Sequence, residues 1–224
     1  RLALEVKTPV TPIRLAAERL RMKVQAKLDA PDAALLDKST QTIISQVDAL
    51  REIVNDFGDY AREPQLKREP VDLHRLIRDV AGLYETSESI VLRTHLQTAA
   101  PVTRGDPGRL RQLLQNLVRN AMEAREKNLI LDIHTRREAD SHGDVLVIVV
   151  EDNGPGIPEA LFERLFEPYI SSKAEGSGLG LAIVKRIVDE HGGRVAAENH
   201  CSGGARITVR LPAPVDEEPP AATG

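Results

Sequence analysis

Tryptophan is absent from this 224-residue chain and aromatic residues make up only 3% of it, so any core must be aliphatic. The single cysteine, Cys201, excludes an intrachain disulfide framework and a cysteine-based zinc site. No apolar run approaches the ~20 residues that a membrane helix needs, and the longest is Val145–Val150. An excess of basic residues is also missing. With a net charge of −4 there is no electrostatic footprint for nucleic acid, and no nucleic-acid partner is expected. No stretch of these residues is expected to act as a secretory signal. The chain opens on Arg1 within a helical pattern, as expected of a fragment cut from a longer protein. Hydrophobic residues at 41% and charged ones at 29% are the proportions of an ordinary globular protein, with room for one or two domains.

The most informative stretch runs from Val149 to Leu181. An apolar strand ends in the acid Asp152, two glycine turns follow at Gly154 and Gly156, and a helix begins at the glycines ending in Gly180. A carboxylate at a strand end can accept hydrogen bonds from a base edge. Glycines let the backbone approach a ligand, and a helix starting among them offers amide N–H groups to phosphate. Together they read as a purine nucleotide pocket.

Elsewhere, periodicity orders the chain. Val6, Val10, Ile13, Ala17, Leu20 and Val24 mark a heptad seam on a first helix. Leu36, Thr40, Ile43, Val47, Leu50, Val54 and Phe57 mark one on a second. The turn lies at Asp29–Asp32, with Pro31 suited to a helix start. Two narrow seams make too little core alone, so this hairpin is expected to pair with a second copy as a four-helix bundle. Expected domains are residues 1–62 for the hairpin, 63–70 for a proline-containing linker, 71–213 for a second domain and 214–224 for a disordered tail.

In the second domain, the pattern predicts a short helix over Val71–Tyr84, a strand at Ile90–Leu96 and a loop at Ala99–Pro107. A helix follows at Pro107–Lys127, where Gln112, Asn116 and Asn120 share one face beside the leucine stripe. Asparagine is a poor residue for a helix interior, so the aligned pair suggests a face turned to a ligand or hydrated metal. Strands are expected at Asn128–Thr135, Asp144–Glu151, Arg194–Glu198 and Ala205–Leu211, and a helix at Gly178–His191. The fold class is then α+β: the helical hairpin followed by an α/β sandwich with one mixed sheet and helices on one face.

These residues resemble the catalytic core of bacterial sensor histidine kinases, closest to the nitrogen-regulation subgroup. The resemblance runs from Leu2 to Pro212. Asn116–Ala121 is similar to the family's asparagine box, Asp152–Gly156 to its first glycine box, Phe166–Pro168 to its phenylalanine box and Gly176–Leu181 to its second glycine box. Thr11-Pro12-Ile13 and Ala17-Glu18-Arg19-Leu20 carry the subgroup likeness. The resemblance implies an ATP-binding domain of the type shared with gyrase B, Hsp90 and MutL. Asp152 would meet the adenine amino group, Asn120 would bind Mg²⁺, and Asn116 would lie near the phosphates. Gly154, Gly156, Gly176, Ser177, Gly178, Leu179 and Gly180 would shape the pocket and bring backbone N–H groups to the phosphates. Glu159 to Glu175 would form a lid, with Lys173 available to the γ-phosphate. The partners implied are a second copy of the chain and a response-regulator receiver domain. The fragment would be cytoplasmic, reaching the inner membrane only through parent segments outside it.

One position departs from the family pattern. Leu4 stands where the family has its phosphoacceptor histidine, ahead of Glu5 and Thr8. The heptad phase puts residue 4 on the outward face, where a leucine gains little from burial. None of the six histidines lies in this helix. Leucine has no nitrogen to attack a γ-phosphate, so this chain is not expected to phosphorylate itself. An engineered substitution and a natural pseudokinase both account for it. Glu5 would be the general base for the histidine, and Thr8 would orient water for dephosphorylating a partner. Alternatives to a kinase core are a response-regulator phosphatase, a nucleotide-sensing scaffold and an ATPase of the Hsp90 or MutL kind.

Overall fold

The computed structural model of the chain describes residues 2–61, 66–97, 101–125, 127–140, 143–170, 178–200 and 203–213. It contains two compact units, Arg1–Glu63 and Pro64–Ser172 with Gly178–Gly224.

The first unit is a helical hairpin. Helix α1 (Leu2–Val24) runs into a 3-10 turn at Gln25–Lys27, and α2 (Ala30–Ala61) returns. Asp29 starts α2 by accepting the Asp32 N–H on its carboxylate at 3.0 Å. Within one hairpin the expected seam splits. Ala17, Thr40 and Val47 are buried, and so is Ile44, which lay outside that seam, whereas Ile13 and Leu20 are each 49% exposed, and Ile43 and Leu50 are 43% and 44% exposed. The exposed pairs each repeat at seven residues, leaving uncovered apolar positions at heptad spacing on both helices. Arg14 bridges the helices at 2.8 Å from Asp48, and Arg21 lies 3.6 Å from Asp37. Such exposed pairs contribute little stability beside apolar burial.

The second unit layers three helices on a five-stranded sheet of order β2-β4-β5-β7-β6. The strands are β2 (Ile90–Leu96), β4 (Leu129–Asp140), β5 (Gly143–Asp152), β6 (Arg194–Asn199) and β7 (Ala205–Pro212). β2 pairs parallel with β4, and the other pairs are antiparallel. Helices α3 (Leu73–Gly82), α4 (Pro107–Ala124) and α5 (Gly180–Glu190) supply the other side of the core. A two-stranded ribbon pairs β1 (Glu69–Asp72) with β3 (Val102–Gly105).

This ribbon corrects the sequence reading at two places. Glu69 and Pro70 belong to β1 rather than to the linker, and Val102–Gly105 is a strand rather than part of a loop. Helix α3 accordingly begins at Leu73, because Asp72 caps it by accepting the Arg75 N–H at 3.0 Å. Each strand is only four residues long and finds its partner about thirty residues away, so neither leaves a periodic signal. Proline at position 70 suits a ribbon that needs few ladder bonds.

The stripe expected on α4 is the buried one: Leu110, Leu113, Leu114, Leu117, Val118 and Ala121. Asp106 caps this helix, accepting the Arg109 N–H at 3.0 Å, and Pro107 opens it. Burial pushes the Asp106 pKa up, but backbone N–H bonds from Arg109, Lys67 and Gly108 outweigh that and leave it lowered. The run Leu146–Val150 is buried throughout, as a strand at the centre of the sheet should be. Alternation then sorts its neighbours. Leu131, Ile133 and Thr135 lie on the helix side, while Asp132, His134 and Arg136 lie on the opposite side.

One buried histidine makes the fold sensitive to acid. His74 on α3 is buried, and its Nε2 lies 2.8 Å from Thr135 Oγ1. Burial holds its pKa below the ordinary histidine value, with Arg78 adding to that and Asp72 opposing. Above about pH 6.5 the ring is neutral in folded and unfolded chains alike. Below it the unfolded chain takes up the proton first, so stability present at neutral pH is lost as pH falls from about 6.5 towards the folded pKa. His74→Gln should flatten the decline of Tm between about pH 7 and pH 5.5 relative to the unaltered chain. Parallel Tm curves would show that His74 does not supply the proton.

Candidate nucleotide site

The site is built where β5 runs out of apolar residues. Asp152 ends that strand, half-buried on the helix side. Its Oδ1 accepts the Gly154 N–H at 2.7 Å and the Ala205 N–H at 3.2 Å. The carboxylate is thus fixed from both sides, by the turn that follows it and by the start of β7. Gly204 lies against the same residue, at φ +89°, with no room for a Cβ beside the Asp152 carbonyl oxygen.

The first glycine turn is pinned by groups distant in sequence. Asn153 Oδ1 accepts the Ile130 N–H at 2.9 Å, while Arg125 Nη1 donates to the Asn153 carbonyl at 2.7 Å. Gly156 adopts φ +80°, and a Cβ there would stand 2.8 Å from Asn199 Oδ1. Asn199 in turn accepts the Ile157 N–H at 2.7 Å and donates to the Ile157 carbonyl at 2.9 Å. Asn153 and Asn199 are structural parts of the site that sequence reasoning missed. Asn199 left no signal beyond being an asparagine at a strand end, since its role depends on contact with a turn 42 residues earlier.

Helix α4 closes another side. A Cβ on Gly154 would sit 3.6 Å from the Cβ of Ala124, one turn beyond Asn120. Asn120 reaches the start of α5, where a Cβ on Gly180 would lie 2.7 Å from its Oδ1. Glycine at 180 therefore leaves space for the asparagine amide at a helix N-terminus. That helix begins after Leu179 without a side-chain cap from that residue. The first N–H groups of any helix lack intrahelical acceptors and carry its positive dipole end. The Leu179 side chain is buried, so only its backbone can face a ligand. Gly178, at φ +64°, packs where a Cβ would meet the Tyr169 backbone, and its carbonyl accepts the Tyr169 N–H at 3.0 Å.

Asn116 is buried one turn before Asn120. Its Nδ2 donates to the Gln112 carbonyl at 2.9 Å and its Oδ1 accepts from Arg119 at 2.8 Å. The opposite ends of α4 and α5 are clasped by Arg109, whose guanidinium meets both Glu190 carboxylate oxygens at 2.9–3.1 Å in a half-buried pair. That clasp fixes the spacing between the two helices. His191 supports it, accepting the Asp106 N–H on Nε2 at 3.0 Å while its Nδ1 donates to the Ile187 carbonyl at 2.7 Å.

The described residues thus bring together Asp152, Gly154, Gly156, Asn120 and Gly180. Lys173, Gly176 and Ser177 lie outside the described residues, as does all of the expected lid beyond Ile170. Residues 159–164 of that lid form a 3-10 helix. Leu4, Glu5 and Thr8 are helical within α1, and their side chains lie outside the described ones. The donor set suits a magnesium–nucleotide complex. A side-chain carbonyl oxygen beside a helix N-terminus matches an ion that takes few protein ligands and otherwise binds water and phosphate oxygens. Only glycine at 180 lets the start of α5 approach that oxygen so closely.

Comparison with known proteins supplies the relationship. Residues 105–215 match the family described as histidine kinase-, DNA gyrase B-, and HSP90-like ATPase, and residues 2–65 match the His Kinase A (phospho-acceptor) domain. The chain is 36% identical to the nitrogen regulation protein NtrY of Azorhizobium caulinodans over 231 residues, covering all of this chain and 30% of NtrY. It is 35% identical to the sensory histidine kinase/phosphatase NtrB of Escherichia coli O157:H7, over 94% of this chain and 60% of NtrB. Among solved structures, the catalytic domain of histidine kinase ThkA is similar at a TM-score of 0.58 and 32% identity, covering 65% of this chain and 95% of that domain. ThkA in complex with the response regulator TrrA is similar at a TM-score of 0.68 and 27% identity, over 94% of this chain and 60% of that one. The chain thus spans between 30% and 60% of the two curated relatives.

Proposed function

The chain belongs to the sensor histidine kinase family, and we propose that it is the Mg-ATP-binding core of a two-component kinase disabled in autophosphorylation by Leu4. The observation that carries the nucleotide reading is the meeting of the Asn120 amide with the N-terminus of α5 at Gly180, beside the turn that fixes Asp152. Asp152 accepts a hydrogen bond from the adenine amino group. Backbone N–H groups at Gly178 to Gly180, with Gly176 and Ser177, receive the phosphates, and Asn116 lies near them. Lys173, outside the described residues, would be available to the γ-phosphate. Asn120 would hold Mg²⁺, which would supply positive charge to the phosphate oxygens.

The hairpin is the dimerisation element in this reading. The uncovered apolar positions Ile13, Leu20, Ile43 and Leu50 support a four-helix bundle with a second copy. A histidine at position 4 would attack the γ-phosphorus while Glu5 accepts the imidazole proton, with ADP leaving. A response-regulator aspartate would then take the phosphoryl group. Leu4 cannot begin this sequence.

A second reading is a response-regulator phosphatase. The name of NtrB as a kinase/phosphatase favours it, because Thr8 could orient a water without a histidine at position 4. Leu4→His incubated with γ-labelled ATP should yield an acid-labile, base-stable phosphoprotein, and the unaltered chain should yield none. An unlabelled Leu4→His protein that still binds ATP would reject the kinase reading. Unchanged decay of a phosphorylated response regulator on adding the unaltered chain would reject the phosphatase reading.

A further inference from the structure

The sheet face turned away from the helices carries a chemistry that nucleotide binding does not use. β2 and β4 run parallel there, and His95 is the register partner of His134. Their side chains therefore project from the same face of neighbouring strands, about 4.8 Å apart at the backbone. Asp132 precedes His134 by two residues and stands on that same face. The pleat thus aims two imidazoles and a carboxylate at one small volume. Their potential ligand atoms all lie within 4.8 Å of one another.

The local geometry is ordered. His95 Nε2 lies 3.0 Å from Asp132 Oδ1. The rings of His95 and His134 stack with centroids 4.4 Å apart and planes 10° from parallel. On the next strand Glu151, the register partner of Asp132, brings Oε2 to 4.0 Å from His134 Nε2. A cavity of about 360 Å³ opens beside them, lined in part by His134, Glu151, Arg206 and Arg210.

We propose that His95, Asp132 and His134 form a binding site for a divalent transition-metal ion, zinc(II) foremost, with water in the fourth position. Two neutral imidazoles and one carboxylate suit a borderline ion of the zinc, cobalt or nickel kind, whereas Mg²⁺ and Ca²⁺ favour oxygen ligands. Ligand bonds of about 2.0–2.1 Å in a tetrahedron place donors about 3.3 Å apart. The His95–Asp132 separation already has that scale, and a side-chain rotation brings His134 in. Binding replaces the His95–Asp132 hydrogen bond. The imidazole moves its proton to Nδ1 and presents the Nε2 lone pair to the ion. Glu151 stands behind as an acceptor that orients the water.

This site is separate from the nucleotide pocket. Glu151 and Asp152 are consecutive on β5 and point to opposite faces, so an ion at His134 is screened from Asp152 by the sheet itself. An ion bound there also ties the edge strand β2 to its neighbour, so it should raise the thermal stability of the chain by mass action.

The test is a titration of the metal-stripped full chain with Co²⁺ in the absence of nucleotide. The expected result is visible ligand-field absorption that saturates at one equivalent, is displaced by Zn²⁺, and is lost in both His95→Ala and His134→Ala. Zn²⁺ should raise the Tm of the unaltered chain but not of His134→Gln, while both proteins keep the same ATP affinity by calorimetry. Absence of saturable absorption, or absorption that survives both histidine substitutions in chains with native circular dichroism, would overturn the proposal. In that case the cluster is only a stacked, hydrogen-bonded surface pair.

Discussion

Asp152→Asn should lower ATP affinity by about 100-fold or more while leaving the fold intact. The reason lies in how the two carboxylate oxygens are used. Oδ1 accepts N–H groups from Gly154 and Ala205, and an asparagine oxygen can take over both bonds. Its NH₂ group must then stand where the second carboxylate oxygen was. An adenine amino group would meet a donor instead of an acceptor. A hydrogen bond to a charged group contributes about 1.5–3 kcal/mol, and every 1.4 kcal/mol is tenfold in affinity. The lost bond and the new donor–donor clash together account for the expected change. Calorimetric titration with Mg-ATP measures it, and Tm checks the fold. An affinity within about threefold of the unaltered chain would remove Asp152 from the adenine site.

Gly204→Ala should be the most destabilising single methyl addition in the second unit. At φ +89° the residue occupies left-handed space that side chains rarely adopt, and the new Cβ would overlap the Asp152 carbonyl oxygen. Backbone atoms cannot rotate away as a side chain can. Either β7 withdraws, breaking the Ala205 N–H bond to Asp152, or the turn after β5 opens. A loss of about 3 kcal/mol or more is expected, with ATP binding lost even where the protein remains folded. Gly203→Ala is the internal control. Gly203 also has positive φ, +93°, but nothing lies within 4 Å of its added Cβ. It should cost only the conformational strain, about 1 kcal/mol. Urea unfolding of the two variants separates steric overlap from backbone conformation. Equal losses would mean that close approach to Asp152 plays no part.

Much of the second unit was legible because its elements announce themselves locally. The run Val145–Val150 is continuous and β-branched, and it became the middle strand of the sheet. The leucines of α4 repeat at helical spacing and face the core, and Asp106-Pro107 marks where that helix starts. Asp152 and the glycines after it were recognisable as a strand end followed by turns. Capping, periodicity and turn chemistry act over a few residues, so the sequence displays them directly.

The hairpin was only half legible. Heptad spacing marks which residues are apolar, but not which helix covers each. Of the expected seam, Thr40 and Val47 are covered within one hairpin while Ile43 and Leu50 are not, and Ile44, outside that seam, is covered instead. A seam of a given width divides its residues between the intrachain neighbour and any further helix, and that division depends on the crossing of α1 and α2.

Local patterning in the sequence determined the element types, the heptad stripes and the glycine turns. Tertiary structure alone decided what meets across long separations. It paired β1 with β3, set Asn199 against the turn at Gly156, and brought His95 beside His134. The physical reason is the period of the strand. Alternation tells which residues share a face, but register between strands decides which of them face one another, and register is set only when the sheet closes on its helices.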